Sequence, residues 1–120
     1  MTKKEIFSPL VEVIIDAIED VKGQKIVVLD LRELENSSCD FFVICEGNSD
    51  TQVSAIGDRI ERKAREVLQE RPWHVEGRQN AEWVLIDYVS TVVHVFKRDI
   101  RAFYALEELW GDAPSYVIEE

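Results

Sequence analysis

Neither of the glycine-rich phosphate motifs, GxGxxG and GxxxxGK[ST], occurs anywhere in the chain, and the GxSxG nucleophile elbow is also missing. Basic residues are few: 14 Lys and Arg stand against 24 Asp and Glu, a formal net charge of -10. Nucleic-acid affinity comes largely from Lys and Arg displacing counterions at phosphates, so this balance argues against RNA, DNA or an anionic membrane as primary target. A basic protein surface is the natural partner. Cysteine is scarce too. Cys39 and Cys45 fit neither a CxxC motif nor a paired zinc site, and they read as free thiols in a reducing cytoplasm, with Cys45 packed inside a strand. Only His74 and His94 could supply imidazole, and they fall on separate strand candidates without a local ligand cluster, so no metal site is expected. The N-terminal MTKKEIFSPLVEVIIDAIED lacks an apolar run of signal-peptide length, and its acids argue against a transit peptide.

Paired carboxylates are the last notable absence. Asp30 in VLDLRE and Asp87 in VLIDYV each stand without a second carboxylate two positions on, the arrangement that metal-dependent nucleotidyl transfer needs. One rival reading survives this: the strand, EGNSD turn and helix resemble the entry to a phosphate site, which would suit a nucleotide-binding or nucleotidyltransferase-like enzyme. A capped turn is the plainer explanation, and no cofactor is expected.

What is present fits one compact α/β domain, 1–120, with 46% hydrophobic residues in a chain of 120. A first helix is predicted from about Ser8 to Lys22, with Pro9 in its first turn and Gly23 as the stop; Thr2 with Glu5 offers a competing start. KIVVLDL, Lys25 to Leu31, and FFVICE, Phe41 to Glu46, are apolar on both faces, as strands of a sheet interior are. The next helix is predicted to open with Ser49 and Gln52 as a capping box, to bury Val53, Ile56, Ile60, Ala64 and Val67, and to end before Pro72. WHVEG is a short strand candidate.

AEWVLIDYVSTVVHVFKRD reads as a hairpin turning at Val89 and Ser90. That register sets Trp83 opposite Phe96, Leu85 opposite His94 and Asp87 opposite Val92 on one face, and sends Val84, Ile86, Tyr88, Thr91, Val93 and Val95 to the other. A third helix, DIRAFYALEELW, is predicted with Asp99 as cap and Gly111 as stop. Its apolar residues spread over roughly 220°, whereas the stripe of the second helix needs about 120°, so part of its surface is surplus to one core. Residues 111–120 read as a loosely packed acidic tail. The excess of aromatic and polar groups on the hairpin and third helix suggests a patch where Trp and Tyr anchor and acids select a basic partner.

The string IVVLDLRELENSSCDFFVICEGNSDTQVSAIGDRIE, followed in order by HVEG, EWVLIDY, VVHVF and RAFYALEELWGDAP, resembles the ribosomal silencing factor family, also called iojap-like proteins, over roughly Lys4 to Pro114. Val89-Ser90 departs from the glycine-acid turn usual in that family. The resemblance implies a mixed sheet of about five strands with flanking helices, of nucleotidyltransferase-like topology without the catalytic carboxylates. It further implies a cytoplasmic translation repressor that is not an enzyme. Such a protein binds the large ribosomal subunit through its fourteenth protein, with little direct rRNA contact, and blocks joining of the small subunit when nutrients are limiting. A rival reading, from the surplus face of the third helix, is a homodimer of the free protein. Mapped onto this chain, the partner-binding surface would comprise Trp83, Asp87, Tyr88 and Tyr104, with Arg101, Leu109, Trp110 and His94 as weaker members and His94 more a support for the hairpin.

Overall fold

Ser8 and Pro9 start the first helix. The structure, a computed structural model, describes residues 7–35, 37–104, 111 and 113–118, with backbone alone at 102–104. Ser8 is extended, and its hydroxyl accepts from the Val11 N–H at 3.2 Å, while Pro9 fills a first-turn position whose N–H would have no partner. Helix α1 spans Pro9–Asp20 and buries Leu10, Val11, Val13, Ile14, Ile15, Ala17 and Ile18. The left-handed residue at its end is Lys22, with φ 62, and not Gly23. Gly23 is needed for close approach instead, since a Cβ there would lie 2.4 Å from Ile18 Cγ2. The Thr2 and Glu5 alternative lies outside the described residues.

Strands β1 (Gln24–Asp30) and β2 (Phe41–Gly47) are buried along most of their length, as their two-sided apolar character predicts. Helix α2 (Asp50–Leu68) follows, then β3 (His74–Glu76), β4 (Trp83–Asp87), β5 (Thr91–Lys97), α3 (Arg98–Tyr104) and β6 (Ser115–Val117). Among the described residues the sheet has six strands, in the order β3-β4-β5-β2-β1-β6, one more than expected. Only β2 with β5 is parallel; the other neighbours run antiparallel, which makes the sheet mixed.

The sixth strand corrects the reading of a loosely packed tail over residues 113–118. Ser115–Val117 pairs with β1, and Ala113 and Ile118 are buried. Without it β1 would present a bare edge of N–H and C=O groups beside the core, which Pro114 and Ile26 carbonyls and their partners now close. In α2 the end of the stripe also differs. Val67 is 54% exposed, and Leu68 takes the inward place. Helix α3 begins directly after β5, so Asp99 sits in its first turn and does not cap it.

The sheet has two unlike faces. One carries Ile26, Val28, Val43, Cys45, Val84, Ile86, Val93 and Val95 against α1 and α2. The other carries Val27, Leu29, Ile44 and Phe96, with Phe42, Trp83, Val92 and Ile100 only partly covered.

Candidate docking interface

The hairpin register is the predicted one: Trp83 faces Phe96, Leu85 faces His94 and Asp87 faces Val92. Alternation then puts these side chains on the partly covered face. The Trp83 ring stacks on Phe96 with centroids 5.0 Å apart at 28°, and its indole N–H donates to His94 Nδ1 at 3.1 Å. Phe42 packs edge-on against the imidazole, 4.7 Å between centroids. His94 is only 4% exposed, and burial pushes its pKa down to about 4, so the ring is neutral at ordinary pH. With Nδ1 accepting, the ring proton sits on Nε2, which has no hydrogen-bond partner among the described residues. The result is a tryptophan held from two sides while still partly exposed. A pinned, partly open aromatic has little rotamer freedom to lose on binding.

At the hairpin end, Asp87 Oδ1 accepts from the Val89 N–H at 2.7 Å, and the Ser90 N–H closes a three-residue turn on the Tyr88 carbonyl at 2.9 Å. Val89, at φ 76, is a β-branched residue in left-handed backbone, a conformation that costs on the order of 1–3 kcal/mol. It is 62% exposed. Sequence reasoning noticed the unusual turn but not that Val89 would be displayed, nor that the Trp73 ring would stand 75% exposed nearby.

The other candidates are dispersed. Tyr88 is buried among the residues under α1 and α2, its hydroxyl without a hydrogen-bond partner among the described residues and its pKa pushed up to about 12 by desolvation. It faces away from Trp83 and Asp87, which corrects its expected place on the exposed surface; the strand alternation that carries Ile86 inward carries Tyr88 with it. Arg101 is turned inward as well. Its guanidinium donates to the Lys25 carbonyl at 2.6 Å and to Glu46 at 3.3 Å. Glu46, 4% exposed, also accepts from Arg98, which reaches Gln24. A buried carboxylate needs such partners, so these arginines anchor α3 to the sheet. Tyr104 ends α3; its side chain, Leu109 and Trp110 lie outside the described residues.

The EGNSD turn is closed upon itself. Ser49 Oγ accepts from the Gln52 N–H at 3.2 Å, Gln52 Oε1 accepts from the Asn48 N–H at 2.6 Å, and Asp50 accepts from the Thr51 N–H at 2.9 Å. Three backbone donors that a phosphate would use are thus taken, beside a carboxylate that would repel it. Gly47 is explained by packing, since a Cβ there would meet Val53 N at 3.2 Å. Asp30 is gripped by Arg32 through two bonds of 2.9 and 2.7 Å, which lowers its pKa. The thiols are buried, with pKa values pushed up to about 11 for Cys39 and about 12 for Cys45, chiefly by desolvation. Thiolate is the nucleophile, so neither is poised for reaction. Among the described residues no group of three His, Cys, Asp or Glu could hold a metal ion, and no helix is long and apolar enough to cross a membrane.

A family model described as ribosomal silencing factor during starvation matches residues 4–120. A ribosomal silencing factor of Halalkalibacterium halodurans is 43% identical over 110 residues, covering 92% of each chain. Another, of Bacillus subtilis, is 44% identical over 99 residues, covering 82% of this chain and 81% of that one. An X-ray crystal structure of a protein from Chromobacterium violaceum superposes with a TM-score of 0.81 at 34% identity, covering 85% of this chain and 83% of the other.

Proposed function

The chain belongs to the ribosomal silencing factor family, and from that premise we propose that it binds the large ribosomal subunit through that subunit's fourteenth protein and keeps the small subunit from joining. The reading places its action in the cytoplasm, as a brake on translation when nutrients are scarce. The observation that carries it is the partly covered face of β4 and β5, where Trp83 is fixed by Phe96 and His94 and yet partly exposed beside Asp87. Aromatic anchors next to a charge-selecting group are what a protein-docking hot spot is made of. Trp83 and Asp87 are the contacts in this proposal, together with Tyr104, Leu109 and Trp110. Tyr88 lies behind this face, and Arg101 holds α3 to the sheet through Glu46.

Two physical features agree with a wedge. A net charge of -10 is attracted to a basic ribosomal protein and repelled by the surrounding rRNA. Steric blockade needs no reacting group, only a rigid body of sufficient size, and the domain measures 35 × 33 × 28 Å. Co-sedimentation through sucrose tests the proposal. The protein should travel with free large subunits and be absent from preformed whole ribosomes, and equal recovery with both would contradict the wedge. Association should also slow as salt rises, because exposed charges are screened over about 8 to 10 Å near physiological ionic strength.

A further inference from the structure

Trp73 and Val89, the two most exposed large apolar side chains near the hairpin end, line one cavity of about 300 Å³ together with Ser38, Cys39, Asp87 and Val92. Neither residue belongs to the surface described above. Backbone bonds set the position of both. The Trp73 N–H donates to the Asp87 carbonyl at 2.8 Å, which continues the β3 and β4 ladder by one residue and fixes one wall. The opposite wall is fixed where the Ser90 carbonyl accepts from the N–H groups of Asp40 and Phe41, at 2.7 and 3.2 Å. Val89 stands between them in left-handed backbone, locked by the Asp87 carboxylate and the Tyr88 carbonyl. A strained β-branched residue whose side chain points into water is not explained by folding, since glycine would sit there without strain.

The rim is acidic. Asp87 lines it beside the buried Cys39 thiol, and the exposed Asp40 follows Cys39 in the chain. Asp87 has no ion-pair partner among the described residues. We infer that this cavity is a second pocket of the docking surface, with Trp73, Val89 and Val92 receiving an apolar side chain of the ribosomal protein while a neighbouring lysine or arginine of that protein reaches Asp87. The inference rests on the docking reading and names the chemistry of the segment bound. Charge complementarity selects this occupant: an acidic rim over an apolar floor, on a chain of net charge -10, suits a basic protein segment and disfavours nucleic acid. A pocket of this volume lies at the small end of the range for ligand sites and suits a side chain better than a cofactor.

Binding to purified large ribosomal subunits tests it, using the full chain and the variants Trp73→Ala, Val89→Gly and Asp87→Lys, with melting temperature and light-scattering mass recorded for each. Trp73→Ala and Val89→Gly should each weaken binding by about tenfold, the loss expected when one anchor is removed. Val89→Gly should at the same time melt higher than the parent, because the turn is relieved. If both bind within about twofold of the parent while Asp87→Lys loses binding, the docking face stands and the pocket does not. If Asp87→Lys also binds normally, the docking reading itself fails. A Trp73→Ala protein whose mass halves with subunit binding unchanged would assign the pocket to a second copy of this chain and overturn the inference.

Discussion

On one face of the sheet, Ile14, Ile18, Ile56 and Ile60 from α1 and α2 are fully buried over Val28, Val43, Val93 and Val95. On the other, Trp83, Leu85, Asp87 and Val92 stay partly exposed around a buried histidine. The first face is an aliphatic interior with few polar atoms to satisfy, and shape complementarity is its whole task. The second mixes stacked rings, an indole-to-imidazole bond, a carboxylate and a strained turn, features that add little to a core and much to recognition. The same strands β4 and β5 serve both faces, so alternation along one hairpin separates stability from docking residue by residue.

That division can be broken most forcefully from the covered side. Ile60→Ala, at a fully buried position, should destabilise the fold by about 2 to 5 kcal/mol through lost transfer energy and a residual cavity. Its folded fraction should still bind large subunits with parental affinity. Urea melts and subunit titration of the same sample check both halves, and a stable but non-binding variant would mean that α2 itself is the docking surface.

A somewhat smaller effect should come from acid on the other face. His94 titrates near 4 when folded and near 6.5 when unfolded. The native state therefore prefers the neutral ring, and its contribution is fully present above about pH 6.5 and is lost as pH falls through 4. The span corresponds to about 3 kcal/mol. Melting curves across this window should fall more steeply for the parent than for His94→Phe, which cannot take up the proton. Identical slopes would mean that the imidazole is open to water and that Trp83 lacks its support.

Part of this contrast was readable from residue order alone. The hairpin register and the assignment of side chains to faces followed from alternation between Trp83 and Phe96 and from a two-residue turn, both local properties. Alternation also placed Tyr88 opposite Asp87, and the structure sides with that local rule over the grouping of Tyr88 with Trp83 that the family resemblance implied. The sixth strand was not legible, because Ser115–Val117 is only three residues long and exists through the open edge of β1, a distant partner. The start of α3 was misplaced for a similar reason: Arg98 is drawn into the helix by its bond to Glu46, far away in sequence. Trp73 carried no periodic signal, and its exposure is set by where β3 meets the hairpin end. The candidates Tyr104 and Trp110 rest on the aromatic excess of the third helix and on the resemblance, and Leu109 on the resemblance.

The central claim is that the Trp83 and Asp87 face meets a basic ribosomal surface, and the affinity of a folded Asp87→Lys protein for purified large subunits tests it most directly. Reversing a carboxylate aimed at a basic partner costs roughly 2 to 5 kcal/mol, so binding should fall by about thirtyfold or more while a thermal melt shows the domain intact. Parental affinity in that folded variant would contradict the account.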